Sequence, residues 1–274
     1  MNLAARLPWP ESCQGAVSLS FDDGHPSQLE IAIPTLNEFG LQGTFYLNPR
    51  GDDWREKLAP WRQVAAAGHE LGNHTMRHIC SRGFTPLDRP WQQVRGLENT
   101  SLDEIEEDML ESERRLDELA PEQEVRSFGY PCYLDYVGEG LTRQSYVPLV
   151  AKYFLAGRGK GELANHPALS DIHYLSSFPV GGWMSGEQLC QMVENTATTG
   201  RWTVLTFHYF QEEPGPDAPA PAWKPGSVYH EPNLPATAFR ELCAYLAANR
   251  ERLWIAPIVT IAQRVIEWRK TIER

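Results

Sequence analysis

Ala16-Val17-Ser18-Leu19-Ser20-Phe21-Asp22-Asp23-Gly24 is the stretch whose reading decides the fold. A short apolar, β-compatible run stops on two acids and a glycine, as a buried strand does when it delivers polar side chains at its carboxyl end. Downstream, Pro26 can open a helix. Leu29, Ile33 and Leu36 recur at helical spacing, and Gly40 closes it. Residues 44–47 read as a second strand, 61–67 as a helix stopped by Gly68, and 69–73 as a third strand. Ser101-Leu102-Asp103-Glu104 is a capping box. It predicts a charged helix to Leu119 with Ile105, Met109 and Leu116 buried. Strands are predicted at 125–128, 153–156 and 203–207, then a helix over 236–248 and a strand around 254–259. This alternation predicts an α/β fold with a parallel sheet, open or closed into a barrel. One domain over residues 1–274 is expected, because barrels of ~200–250 residues routinely fold as one unit.

The 274 residues carry a net charge of −11, with 42% apolar and 22% charged residues. That composition is globular. The acidic balance disfavours a sequence-independent nucleic-acid binder and an anionic membrane surface as partners. No stretch reaches the ~18 apolar residues of a membrane span; the best, Leu253 to Gln263, contains Pro257. The N-terminus lacks a signal-peptide core, so a cytoplasmic location is expected if Met1 is the native start. Cys13, Cys80, Cys132, Cys190 and Cys243 are odd in number, far apart and without C-x-x-C. They read as scattered thiols of a reducing compartment. The Pro-rich segment 212–235, with Trp223 and His230, reads as a surface linker, although its place directly after the 203–207 strand suits a loop lining a site. His25 and His230 read as solvated or structural residues, and Trp183 as core.

The chemistry starts at His74-Thr75-Met76-Arg77-His78. Imidazoles at i and i+4 on one helical turn can reach one metal ion. Thr75 stands where a zincin has its glutamate, so the third ligand and the base must come from elsewhere. Asp22 and Asp23 answer that need. Alternation along an extended chain aims one carboxylate at a metal and the other at the substrate, and a cation relieves their repulsion. His208 ends the strand predicted at 203–207, where parallel α/β folds assemble their sites. Together these residues make a kit for metal-assisted hydrolysis: Asp/His/His ligands, a carboxylate base and an imidazole acid.

These residues resemble the polysaccharide deacetylase family (carbohydrate esterase family 4, the NodB-homology type). The family's [TS]-F-D-D-G stands here as Ser20-Phe21-Asp22-Asp23-Gly24, and its H-[ST]-x-x-H as His74-Thr75-Met76-Arg77-His78, preceded by Gly68-His69-Glu70-Leu71-Gly72-Asn73. Gly43-Thr44-Phe45-Tyr46 and Leu205-Thr206-Phe207-His208 resemble further family segments. The resemblance implies a distorted, incomplete (β/α) barrel. It makes Asp22 the general base, His208 the general acid, and Asp23, His74 and His78 the ligands of one divalent cation, Zn²⁺ first with Co²⁺ or Ni²⁺ as alternatives.

The third motif departs from the common R-P-P-Y-G. Here Ser127-Phe128-Gly129-Tyr130-Pro131-Cys132-Tyr133 resembles the F-A-Y-P-x-G variant. Gly129 falls where the base-holding Arg would be, and Cys132 falls where an oxyanion-binding amide would be. Arg158 is the first candidate to replace the Arg, Arg126 the second. Tyr130, Cys132 and Arg158 are the expected substrate-side residues. The family's fourth motif is not recognisable. The implied function is removal of acetyl groups from N- or O-acetylated sugars or oligosaccharides. The alternative is an amide hydrolase on a cyclic imide or ureide, and a third reading is a non-catalytic carbohydrate binder. The expected partner is an acetylated saccharide or small amide; the oligomeric state stays open, a homo-oligomer included.

Overall fold

The computed structural model describes residues 7–10, 12–84, 96–161, 163–212 and 233–272. Residues 213–232, with Trp223 and His230 of the Pro-rich segment, lie outside the described residues. Eight parallel strands form the main sheet: β1 (Gly15–Asp22), β2 (Thr44–Leu47), β3 (Glu70–Asn73), β4 (Ser127–Gly129), β5 (Ala156–Arg158), β6 (Phe178–Pro179), β7 (Trp202–Phe207) and β8 (Leu253–Ile255). Their order is β5-β4-β3-β2-β1-β7-β6. β8 pairs with the first residues of β1, and β2 with its last three. The sheet curls into a half-barrel, the distorted (β/α) barrel expected.

The helices are α1 (Ile33–Glu38, after a π-helical turn over Gln28–Ala32), α2 (Trp54–Lys57), α3 (Trp61–Ala66), α4 (Leu102–Leu119), α5 (Val147–Tyr153), α6 (Gly186–Thr199), α7 (Ala236–Ala248) and α8 (Ile258–Ile272). The capping box at Ser101 is closed in both directions with Glu104. No helix among the described residues is long and apolar enough to cross a membrane.

All of β1 is buried because it is central. Its period of two sorts the side chains. Val17, Leu19 and Phe21 join a core with α1, α3, α6 and α7. Phe21 stacks on Phe45 at 4.5 Å and Phe207 at 5.2 Å and meets Phe239 edge-on at 5.9 Å. Burying each such ring contributes ~1.5–3 kcal/mol. Ser18 and Ser20 face the other way and satisfy themselves against Ala256 O and Leu205 O. Asp22 shares their parity, so the strand itself aims its carboxylate into the barrel interior. On β3, Glu70 and Gly72 share the interior parity, which His74 continues. Glu70 is buried and accepts from Thr44 Oγ1, Ser127 N and Oγ, and Val259 N, tying β2, β4 and α8 together.

Two expected strands are corrected. Residue 153 ends α5, and the strand begins at Ala156, after the backbone turns extended at Phe154. The expected strand at 254–259 stops at Ile255, and α8 begins at Ile258. Pro257 lacks an N–H to continue the ladder yet suits the start of a helix. Trp183, expected in the core, is 54% exposed.

His69, just before β3, is buried, and among the described residues no carboxylate is bonded to it. Its Nδ1 accepts from Gly43 N at 3.1 Å, so the proton sits on Nε2, facing Asn37 Oδ1 at 3.3 Å. Burial lowers its pKa from 6.5 to about 4. The unfolded chain therefore binds a proton that the fold refuses. Stability is unaffected above pH ~6.5 and is lost as pH falls from there toward 4, by about 3 kcal/mol in all. In urea unfolding followed across this window, His69→Gln should show a visibly shallower acid slope than the parent protein.

Candidate metal centre and active site

Asp22 ends β1, and Asp23 turns the chain at φ +71°. That turn, rather than strand alternation, sets where the second carboxylate goes, and it sends both acids toward one imidazole. His74 Nε2 lies 3.8 Å from Asp22 Oδ2 and 3.8 Å from Asp23 Oδ1. His78 Nε2 lies 3.4 Å from Asp23 Oδ1. The two imidazoles meet with ring centroids 4.8 Å apart. The pair does not stand on a helix as expected. Thr75 (φ +58°) and His78 (φ +52°) fold the segment into a loop. Asn73 Oδ1 accepts from Thr75 N, Thr75 Oγ1 accepts from His78 N, and Asn48 donates to His74 O and Thr75 O. Arg77 points away and pairs with the buried Asp108 on α4.

The tautomer of His74 tests whether a cation fits. Its Nδ1 lies 2.7 Å from Gly129 O, a pure acceptor, so Nδ1 carries the proton and the lone pair of Nε2 faces the two carboxylates. Burial, first among several causes, lowers its pKa to about 4, so the ring is neutral at pH 7. Burial also opposes ionisation of Asp23, but His78, His74, His208 and Arg50 outweigh it and hold the carboxyl below its usual range. Lone pairs of a neutral imidazole and a carboxylate thus face each other with no proton between them. Donor atoms of Asp23, His74 and His78 all lie within 4.8 Å of one another. A carboxylate and two imidazoles are a donor set for a divalent transition ion.

His208 follows β7. Its Nε2 is 3.7 Å from Asp22 Oδ2. Gln28 Nε2 donates to both Asp22 O (2.6 Å) and His208 O (2.9 Å), clamping the two strand ends that carry these side chains. Nothing in the sequence singled Gln28 out; a buried Gln opening a helix carries no local signal. Asp22 Oδ1 accepts from Arg158 Nη2 at 2.5 Å, and Arg158 is 0% exposed. Its guanidinium lies over the rings of Tyr46 (4.8 Å) and Tyr133 (5.3 Å). Tyr133 also approaches His208, centroid to centroid at 6.4 Å, and is a second residue the sequence did not flag.

The glycine of the third motif now has a physical account. Gly129 pairs with Arg158 across β4 and β5. A Cβ there would sit 2.8 Å from Arg158 Nη2 and 2.8 Å from the Tyr46 ring. Where the common motif carries Arg, this chain carries Gly, and the vacated space admits an Arg from the neighbouring strand. Gly129→Ala should push Arg158 off Asp22. The overpacking costs ~1–3 kcal/mol. A thermal melt should report that loss, and binding of a cation by Asp23, His74 and His78 should persist, because alanine keeps the backbone carbonyl that accepts from His74 Nδ1.

Three expectations are corrected. Arg126, the second candidate to hold Asp22, is spent elsewhere. It donates to Glu113, Asp117, Leu116 O and Ala120 O beside α4. Tyr130, expected at the substrate, is fully buried, its hydroxyl donating to His173 O and its ring packed on Phe128 and Tyr174. Cys132 is not a scattered thiol: it is joined to Cys80 in a disulfide, with Cα atoms 5.7 Å apart. Cys132 (φ +54°) and Tyr133 (φ +60°) form a tight turn there. His25 is exposed, bonded to Ser27 Oγ and packed edge-on against Tyr209.

Residues 10–139 match the family model described as Polysaccharide deacetylase. The matched stretch, just under half of the chain, is similar to the polysaccharide deacetylase family. It contains the DDG turn, His74 and His78, and the Gly129 segment. The fold extends the likeness over nearly the whole chain. A structure described as a polysaccharide deacetylase from Mycobacterium smegmatis superposes with a TM-score of 0.58 at 19% identity, covering 94% of this chain and 92% of that one. The peptidoglycan deacetylase PdaC from Bacillus subtilis gives 0.51 at 16%, covering 96% and 97%. BA3943 from Bacillus anthracis, a CE4 family pseudoenzyme, gives 0.50 at 14%, covering 90% and 65%. These likenesses establish the fold. A pseudoenzyme among them means that activity has to be argued from the side chains.

Proposed function

We propose that this deacetylase-family chain is a divalent-metal-dependent hydrolase that removes acetyl groups from N- or O-acetylated sugars or oligosaccharides. The observation that carries the reading is the approach of His74 Nε2 to Asp22 and Asp23 while its Nδ1 is bonded to Gly129 O, with Asp22 also facing His208 and held by Arg158. Asp23, His74 and His78 are the residues that would hold the ion, and Zn²⁺ suits them first. A divalent cation held there supplies Lewis-acid polarisation of the acyl oxygen and lowers the pKa of water from ~15.7 toward ~7.

The chain's own residues do the rest. Arg158 occupies Oδ1 of Asp22, which leaves Oδ2 to take the proton of the attacking water. His208 Nε2, 3.7 Å from that same Oδ2, delivers a proton to the leaving nitrogen or oxygen. The Cys132 amide donates to the oxyanion; one such donor is typically worth ~3–4 kcal/mol. Tyr133 lines the approach to His208 and supplies an aromatic surface for a sugar ring.

The position of Arg158, on a strand other than that of the common motif, keeps the cyclic imide or ureide hydrolase as a second reading, because it alters the wall facing the acyl group. Hydrolysis assays on N-acetylated chito-oligomers, acetylated xylan, allantoin and a cyclic imide separate the two. Acetate release from a saccharide supports the proposal. Ring opening of the imide or ureide with no acetate release would replace it. A metal-free protein inert on all four would favour a carbohydrate binder.

A further inference from the structure

The loop carrying His78 is joined covalently to the loop after β4. Cys80 lies two residues beyond His78 and is bonded to Cys132. The two nitrogens of His78 look in opposite directions. Nε2 faces Asp23, whereas Nδ1 lies 3.7 Å from Cys80 Sγ. A ring nitrogen of His78 and the two sulfurs all fall within 4.8 Å of one another, and all three residues are half-buried. With metal–sulfur bonds of ~2.3 Å and metal–nitrogen bonds of ~2.0 Å, two ligands of a tetrahedral ion stand ~3.5–3.8 Å apart. The spacing of Nδ1 and Cys80 Sγ already matches such an edge. A Cα separation of 5.7 Å lets the sulfurs part to that distance by side-chain rotation once they are no longer bonded.

We propose that reduction of the Cys80–Cys132 disulfide creates a second, sulfur-rich site, in which the two thiolates and Nδ1 of His78 hold a soft divalent cation. Only the sharing of His78 rests on the function proposed above. The reductant is a dithiol. Its thiolate attacks one sulfur, the Cys80–Cys132 bond breaks, and the mixed disulfide resolves as the dithiol closes on itself. Two electrons pass to the protein, leaving two cysteine thiols. The incoming cation displaces their protons, because the thiolate is the ligand. While the disulfide is intact the sulfurs offer no thiolate, and His78 serves Asp23 alone. Reduction therefore sets a sulfur site in bridging contact with a ligand of the hydrolytic centre, Nδ1 of His78 serving the new cation while Nε2 keeps facing Asp23.

The test uses the full chain, anaerobically, in two forms: with the disulfide intact, and reduced by a phosphine that is then removed. Each is dialysed against Cd²⁺, and bound cadmium is counted alongside the ultraviolet thiolate-to-cadmium charge-transfer band. The reduced protein should bind one more equivalent than the oxidised protein and should alone show the band. Cys13, Cys190 and Cys243 are free in both forms and cancel. Cys80→Ser and Cys132→Ser should each abolish the extra equivalent and the band. Equal binding with no new band, or a band that survives both substitutions, overturns the proposal. If the Asp23/His74/His78 centre were the part that fails, the oxidised protein would bind nothing while the reduced protein still bound one equivalent with the band.

Discussion

Asp22→Asn is expected to lower turnover by ~10²–10⁴-fold, the usual contribution of a positioned base, while metal content stays at the parent level. The substitution is nearly isosteric. The new amide oxygen can still accept from Arg158 Nη2, so the buried guanidinium keeps a partner. What disappears is the second oxygen lone pair beside His74 and His208. The cation should remain, because Asp23, His74 and His78 converge without Asp22. Steady-state kinetics and elemental analysis on the same preparation check both halves. A variant at wild-type rate would remove Asp22 from the mechanism. A variant that lost its metal would make Asp22 a ligand rather than the base.

Arg158→Ala should be costly in two ways at once. The side chain is fully buried between Tyr46 and Tyr133 and donates to a carboxylate that is itself buried. Removing one partner of a buried ion pair typically costs ~3–5 kcal/mol, because the other charge is left uncompensated. A large drop in the unfolding midpoint is expected, together with loss of most activity. Arg158→Lys separates the two effects. An ammonium keeps the charge but not the planar fork, and it is a poorer stacking partner for the two rings. It should recover part of the stability and much less of kcat. Equal recovery of both would mean that Arg158 only neutralises charge and does not orient the base.

The elements legible in the sequence were those with local punctuation. β1 ends on its own acids. α4 begins at a reciprocal capping box, and α7 runs from Ala236 to Ala248 as expected. Illegibility had physical causes. Ile255, Ile258 and Val259 are β-branched and make the run read as strand, but Pro257 ends the ladder just ahead of α8. The histidine spacing looks helical, yet positive φ at Thr75 and His78 bends the segment into a loop. The sequence ranked Arg158 ahead of Arg126 as the base-holding arginine, but the reason lies in the register between β4 and β5, which is a long-range property of the sheet. The Cys80–Cys132 bond spans 52 residues, so its thiols read as scattered. Gln28 and Tyr133 reach the site only because distant strand ends are brought together.

The central claim is that one cation is held by a carboxylate on the β1 turn and two imidazoles on the loop after β3. Zinc counting after equilibrium dialysis, on the oxidised protein and on His78→Ala in parallel, tests it most directly. The account predicts one zinc per chain for the parent and none for the variant, with hydrolysis lost in step. A parent protein that binds no zinc, cobalt or nickel, or a variant that keeps its full complement, would contradict it.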